Sequence, residues 1–244
     1  MNTHIVIPTY NEAQNIPGLL ERLFQLPVED LHVLIVDDDS PDGTGKIAEN
    51  AKLDHPGRLE VMHREDKQGL GPAYIAGFKQ ALDVGADAIV QMDADFSHNP
   101  QRVPELLDGL EHNHLVLGSR YVQGGSLDEK WAIWRKGLSY FGNAYARFIL
   151  GMPIKDLTGG FRAWRRSTLL GIPLDRVKSK GYAFQVELAY ITHKRGFGIK
   201  EIPIYFADRE EGTSKMSWRI QVEAALRVWA IRMEYRSLTP YNDS

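Results

Sequence analysis

The chain has 244 residues, with 29 Lys and Arg against 32 Asp and Glu, a net charge of −3, and no cysteine. That balance gives no global pull toward nucleic acid, and the missing thiols exclude disulfides, thiolate catalysis and cysteine metal sites. At 43% hydrophobic and 25% charged residues, the composition is that of a soluble globular protein, one large domain or two small ones.

Residues 4–8 read as a short apolar strand that starts almost at Met1, which leaves no signal peptide ahead of it. The strand ends in Pro8-Thr9-Tyr10-Asn11-Glu12. No G-x-G-x-x-G or P-loop glycine run follows, which argues against dinucleotide binding, ATPase chemistry and sugar nucleotidyl transfer. Tyr10 offers a face to a base, and Glu12 an acceptor for ribose hydroxyls or base N–H groups. Equally, Asn11 and Glu12 serve to start the next helix, residues 16–25. A second strand, 31–37, runs into Asp37-Asp38-Asp39-Ser40-Pro41-Asp42-Gly43-Thr44. One cap satisfies about one orphan N–H, so Asp42 is assigned to the helix start at 43–52 and Asp38 is left for a nucleobase or ribose. A third strand, 59–63, leads through a loop with Lys67, Gly69 and Gly71 to a helix at 72–82. Lys67 is either a phosphate contact or an ordinary surface lysine.

The fourth strand, 88–92, delivers Met92-Asp93-Ala94-Asp95-Phe96-Ser97-His98-Asn99-Pro100. In an open α/β sheet the carboxyl edge is where ligands bind. If strand geometry persists, Asp93 and Asp95 point to the same side. Two bare carboxylates about 4 Å apart repel by roughly 4 kcal/mol at an effective dielectric of about 20. A hard cation such as Mg²⁺ or Mn²⁺, itself holding a diphosphate, offsets that repulsion. The competing reading is a solvated turn capping the helix predicted at 100–111. A fifth strand, 115–118, ends in Gly118-Ser119-Arg120-Tyr121. Arg120 is read as a partner for an anionic ligand group, with a salt bridge to a neighbouring acid as the alternative. Continuous apolar strands alternating with helices predict a mostly parallel, Rossmann-like sheet sandwiched by helices.

Beyond Tyr121 the alternation breaks down, which predicts acceptor-binding additions rather than a second repeat of the sheet. Residues 131–150 interleave Trp131, Trp134, Tyr140, Phe141, Tyr145 and Phe148 with Arg135, Lys136 and Arg147. Such a stretch suits a membrane–water interface or a helix packed on the sheet. Arg135 and Ser139, four apart, share one helix face and suit an acceptor phosphate. Asp156-Leu157-Thr158-Gly159-Gly160-Phe161-Arg162 reads as a polar loop in which Asp156 orients a sugar hydroxyl or an arginine. Ser179 to Glu187 reads as a helix start with an exposed acidic face. A strand at 202–206 precedes Arg209 and Lys215, which flank a glycine turn suited to a cationic lid over a diphosphate. Finally, Trp218, Val222, Ala225, Trp229 and Met233 form one helical stripe, an amphipathic helix docked on the domain or resting on an anionic membrane. No apolar run reaches the roughly 18 residues of a membrane span.

In this order the motifs at 8–12, 37–44, 93–98, 118–121, 156–162, 179–185 and 212–215 make a specific set. The chain resembles the dolichyl-phosphate (polyprenol-phosphate) mannose synthases among the family 2 glycosyltransferases with a GT-A fold. The resemblance runs from His4 to about Lys215. It implies a catalytic domain over residues 1–217, with a nucleotide-sugar half (1–120) and an acceptor half (121–217), and a C-terminal amphipathic helix and tail (218–244). It implies that Pro8, Tyr10, Glu12, Val36 and Asp38 hold the nucleoside of GDP-mannose. Asp93 and Asp95 would bind Mg²⁺ or Mn²⁺ and the diphosphate, with Ala94 contacting through its backbone. Arg120, Arg209 and Lys215 would hold the donor or the reacting phosphates, and Arg135 and Ser139 the lipid phosphate. Asp95, Arg120, Arg135 and Ser139 are thus the expected catalytic set. Some relatives have Gln at the position of Ser97, and some carry C-terminal transmembrane helices that are missing here. The expected setting is the cytoplasmic face of a membrane, held peripherally by the aromatic-basic helices or by an anchoring subunit, with no nucleic-acid partner. Three competing readings are the same chemistry with UDP-glucose or UDP-N-acetylglucosamine, a nucleotide-sugar-binding subunit without turnover, and a purely interfacial protein.

Overall fold

The computed structural model describes residues 1–208 and 218–241, with side chains for all of these except 218–222. The first half follows the alternation: β1 (Thr3–Thr9), α1 (Ile16–Phe24), β2 (Leu31–Asp37), α2 (Thr44–Ala51), β3 (Leu59–His63), α3 (Leu70–Asp83) and β4 (Ala88–Gln91). A 3-10 turn at Pro100–Arg102 leads into α4 (Val103–Gly109), and β5 (Leu115–Ser119) follows. The helix predicted to start at Pro100 therefore opens as a tighter turn, capped by the Asn99 side chain, which accepts from the Gln101 N–H at 3.0 Å. The remaining elements are β6 (Ser126–Leu127), α5 (Ile133–Leu150), β7 (Arg162–Arg165), α6 (Arg166–Gly171), α7 (Tyr182–Lys194), β8 (Ile199–Pro203), β9 (Tyr205–Phe206) and α8 (Trp218–Glu234).

The main sheet has the order β3-β2-β1-β4-β7-β5-β8, and β6 and β9 form a separate pair. It is parallel except for β7, which runs antiparallel between β4 and β5, pairing Ala163 with both Val90 and Val116. The second half adds β7 and β8 to this sheet; the strand predicted at 202–206 is divided between β8 and β9, and β7 is a strand the sequence reading did not predict. Arg162-Ala163-Trp164-Arg165 is too short and too basic to read as a strand, yet Arg162, Ala163 and Trp164 are all buried. Side chains alternate across the sheet. Ile5 and Ile7 enter one core with Leu19, Leu20 and Leu23 of α1. Val6 enters the other with Tyr74 and Phe78 of α3. Burial on both faces explains the unbroken apolar runs of β1 and β2.

α8 docks on the domain through Val228, Ile231 and Tyr235, all buried. Of the stripe read as docked on the domain or resting on a membrane, Trp229 and Met233 are exposed. The helix carries two apolar stripes of the same period, and only packing against α5 and α7 chooses between them. The acidic face expected on α7 is corrected, since Glu187 is fully buried.

His4 stacks on His32 at 4.7 Å near the start of β1. Burial first, then His32, lower its pKa from 6.5 to about 4, against a smaller pull from Asp30. Between those values the unfolded chain holds a proton that the folded chain does not, so stability falls as pH drops from 6.5 toward 4. His4→Gln is expected to flatten that slope by roughly 1 kcal/mol, after discounting for partial exposure. Urea titrations at pH 7 and pH 4.5 measure it.

Candidate active site

Three groups of residues meet at the carboxyl edge of the sheet. The first is the acidic corner. β4 ends at Gln91, so strand alternation does not set the directions of Asp93 and Asp95. A left-handed Phe96 (φ 58°) reverses the chain instead. Asp95 is buried, and its Oδ1 accepts from the Ser97 N–H at 3.1 Å and the Ser97 hydroxyl at 2.6 Å. The Asp93 side chain keeps 30% exposure, and its Oδ1 accepts from the Tyr74 hydroxyl at 2.8 Å. Burial first and Asp93 second raise the Tyr74 phenol well above its usual pKa, so it stays a donor. The Asp93 N–H donates to His98 Nδ1 at 3.0 Å. An accepting Nδ1 places the ring proton on Nε2 of a neutral imidazole, 4.0 Å from Asp93 Oδ2. Gly160 faces this corner, where a Cβ would come within 3.6 Å of Asp93 Oδ2 and 3.3 Å of the His98 ring.

Two carboxylates give hard oxygen donors without sulfur or a freely available imidazole, which fits Mg²⁺ or Mn²⁺. Among the described residues no cluster of three His, Asp or Glu side chains is placed to hold a metal alone. A two-carboxylate site shared with substrate phosphates is the common Mg²⁺ arrangement.

The second group lines the ends of β1 and β2. Pro8 and Val36 are register partners, and Val36 is buried. The Lys67 ammonium lies 3.3 Å over the Tyr10 ring, so the lysine left as phosphate contact or surface residue packs on the aromatic face expected to take a base. Glu12 accepts from the Asn15 side chain at 2.7 Å, and its N–H donates to Thr44 Oγ1 at 2.9 Å. Helix starting is thus part of its role. Asp42 takes the Thr44 N–H and hydroxyl at the first residue of α2, from one place before the N-cap Gly43, so it serves the helix start without being the cap. Asp38, also buried, accepts from Arg64 and from the Gly69 N–H, which ties the 64–69 loop to the rim.

The third group surrounds a cavity of about 310 Å³ between α5, α7 and α8. Arg120 is buried and donates from its N–H, Nε and Nη2 to Asp156, and from Nη2 to Thr158 at 2.7 Å. Of the two roles weighed for Arg120, the salt bridge to an acid of the chain is present, and Arg120 lines the cavity while so held. Burial opposes its charge, but Asp156 outweighs burial and raises its pKa. Arg135 stacks 3.6 Å over Trp131 and pairs with Asp208 at 3.2 Å. Ser139 Oγ accepts from the Tyr121 hydroxyl at 2.7 Å. Asn143 donates to Thr158 Oγ1 and to the Ser139 carbonyl, which ties these polar groups into one chain. Most of the remaining lining is apolar, including Tyr145, Val186, Ala225 and Val228. Fully buried Arg162 shapes the loop behind Arg120 by donating to the carbonyls of Leu157, Gly159 and Gln185. Burial pulls its pKa down to about 9, so it is still a cation at neutral pH.

Arg209 and Lys215 lie outside the described residues. Sequence reasoning missed Tyr74, which reads as one more apolar position of α3. It also missed His98 as a support for Asp93, although its place three residues after Asp95 was visible. Ile133, Trp134, Tyr140, Phe141 and Phe148 of α5 are exposed, as are Leu226, Trp229 and Met233 of α8.

His98, which supports Asp93, and Arg120 of the cavity both pack on Phe206, so the acidic corner and the apolar, cation-lined cavity are neighbours, a layout suited to a glycosyltransferase. The chain belongs to glycosyl transferase family 2, whose sequence profile matches residues 4–170. It is 46% identical over 233 residues to the polyprenol monophosphomannose synthase of Mycolicibacterium smegmatis, covering 94% of this chain and 87% of that protein. It is 45% identical over 240 residues to the undecaprenyl-phosphate mannosyltransferase of Micrococcus luteus, covering 98% of each. Among solved structures, glucosyl-3-phosphoglycerate synthase from Mycobacterium tuberculosis with Mn²⁺, UDP and phosphoglyceric acid superposes with a TM-score of 0.69 at 18% identity. That match covers 97% of this chain and 79% of that one. At that identity the likeness speaks for the GT-A fold alone.

Proposed function

We propose that the chain transfers mannose from GDP-mannose to a polyprenyl phosphate such as a dolichyl or undecaprenyl phosphate, giving a β-linked polyprenyl-phosphate mannose. The observation that carries the reading is the cavity: apolar over most of its lining, with Arg120, Arg135 and Ser139 as its polar groups, and joined to the acidic corner through Phe206, on which both Arg120 and His98 pack. A lipid phosphate is the substrate class that needs both halves. The names of the two relatives support mannose as the sugar and a polyprenyl phosphate as the acceptor.

Pro8, Tyr10, Glu12, Val36 and Asp38 hold the nucleoside in this reading. A base on Tyr10 displaces Lys67 from its ring, which frees that cation for the diphosphate. Asp93 and Asp95 hold Mg²⁺ or Mn²⁺, with Ala94 between them contacting the donor through its backbone. When bound, the ion supplies positive charge to the departing diphosphate. Arg209 and Lys215 add cations to the donor phosphates. Arg135 and Ser139 hold the acceptor phosphate, and Arg120, fixed by Asp156, aims its charge at the same space.

The acceptor is already an anion at neutral pH, so no general base is required. The chain positions the acceptor oxygen in line with the anomeric carbon. A bond forms from that oxygen to the carbon as the carbon–oxygen bond to GDP breaks, with the electron pair leaving on the β-phosphate. A single displacement inverts the α-linked donor to a β-linked product. Residues 1–120 serve the donor and 121–217 the acceptor. α8 from the 218–244 segment contributes Ala224, Ala225 and Val228 to the cavity, so the acceptor site extends into the tail. Among the described residues no helix is long and apolar enough to cross a membrane. The exposed aromatic faces of α5 and α8 rest on the cytoplasmic membrane surface in this reading. An anchoring subunit would add to that contact rather than replace it.

The test incubates the purified chain and Mg²⁺ or Mn²⁺ with a short polyprenyl phosphate and, separately, labelled GDP-mannose, UDP-glucose and UDP-N-acetylglucosamine. Lipid-extractable label from GDP-mannose alone is expected. Label from a UDP sugar instead would replace the donor, and no label from any donor would remove turnover.

A further inference from the structure

α7 and α8 face each other across the cavity, and one buried ionic cluster ties them together. Glu187 of α7 is fully buried and uses both carboxylate oxygens. Oε1 accepts from Arg227 Nη2 of α8 at 3.0 Å and from the Tyr235 hydroxyl at 2.8 Å. Oε2 accepts from the Ser179 N–H at 2.8 Å. Arg227 also donates from Nε to Ser179 Oγ at 2.8 Å, and from Nη2 to Glu234 at 3.3 Å. The Ser179 carbonyl in turn abuts α3, where a Cβ on Gly71 would meet it at 2.8 Å. The cluster therefore fixes α8 to the body of the domain as well as to its neighbour helix.

The proposed chemistry uses none of these groups, and an ion pair is a costly way to join two helices. Replacing a buried pair with apolar residues is often neutral or stabilising. What the pair adds is direction. An Arg fork shared between a carboxylate and a hydroxyl accepts few orientations, whereas apolar faces slide. Glu187 follows Ala183 by four residues and Val186 by one, and Arg227 stands between Ala225 and Val228. All four of those neighbours line the cavity.

We propose that Glu187 and Arg227 are positioning residues that hold α8 at the spacing from α7 which the acceptor's hydrocarbon chain requires. The inference rests on the reading of the cavity as the acceptor site. Loss of the pair lets α8 shift, and the hydrocarbon chain loses its fitted wall, while none of the residues that hold the donor in this reading belongs to the cluster.

Steady-state kinetics of the full chain test it, with Glu187→Gln, Arg227→Gln and Arg227→Lys against wild type. In the two Gln variants, KM for the polyprenyl phosphate is expected to rise at least tenfold, with kcat and KM for GDP-mannose within twofold. Arg227→Lys, which keeps the charge but not the fork, is expected to fall between. A merely structural role would lower the melting temperature and the active fraction while leaving the acceptor KM unchanged, and that result overturns the proposal. Should Glu187→Gln fail to fold, Arg227→Gln, altered from the partly exposed side, decides alone. A wild-type chain that labels no lipid phosphate removes the functional reading and this inference together. A working wild type whose variants keep their acceptor KM removes only the inference.

Discussion

Asp95→Asn is expected to lower sugar transfer by about 10³-fold or more, because each 1.4 kcal/mol of lost charge stabilisation is worth about tenfold and a metal clamp contributes several. The substitution is nearly isosteric. The amide oxygen still accepts from the Ser97 N–H and hydroxyl, so the turn after β4 keeps its hydrogen bonds. What disappears is the negative charge that, in the proposed reading, would hold the metal. The melting temperature should therefore change little while activity collapses. Asp95→Ala is expected to abolish transfer too, but it also strands the buried Ser97 N–H, at about 1–3 kcal/mol. The pair of variants separates the charge from the scaffold. Transfer rates under saturating Mn²⁺, set beside thermal melts, are the measurement. Wild-type rates in Asp95→Asn with the metal chelated would remove the carboxylate from the chemistry.

The acidic corner was legible because a strand that is apolar on both faces can end in carboxylates only at its edge, where ligands bind in such sheets. The same logic located Asp38 and Arg120. It did not reveal what holds them. Arg64 lies 26 residues from Asp38, and Asp156 lies 36 residues from Arg120. Pairings at that range depend on which strand lies beside which. Here β7, inserted antiparallel between β4 and β5, carries the 156–161 loop back to the rim. Nothing in the polarity of Arg162-Ala163-Trp164-Arg165 announces a central strand, because Arg162 is satisfied by three backbone carbonyls that exist only after folding. The cavity was hidden for a similar reason. Arg135 and Ser139 could be placed on one helix face from spacing alone. The wall opposite them comes from α8, whose two apolar stripes the sequence cannot rank. Tyr74 makes the plainest case: a hydroxyl on an otherwise apolar helix face has no visible purpose until β4 brings Asp93 to 2.8 Å from it.

The largest effect on stability is expected from Asp156→Ala. Asp156 is fully buried and accepts four hydrogen bonds, three from Arg120 and one from the Gly159 N–H. Removing one partner of a buried ion pair costs about 3–5 kcal/mol, since the other charge stays behind without compensation. At about 2–4 °C per kcal/mol for a chain of this size, the melting temperature should fall by roughly 6–20 °C. Arg120 would then swing from Asp156 toward the cavity or solvent, and any activity of the folded fraction should drop as well. Burial alone would raise the Asp156 pKa, but Arg120 and the two N–H groups outweigh it, and the net shift is downward. A carboxylate whose folded pKa lies below its unfolded value of about 3.9 contributes in full above that pH and fades as the pH falls through the folded value. Wild type should therefore lose stability below about pH 4 more steeply than Asp156→Ala, and the two curves should converge in acid. Asp156→Asn keeps the shape and the Gly159 contact but not the charge, so it should fall between them. Parallel curves for wild type and Asp156→Ala down to pH 2 would show that the pair does not supply this stability.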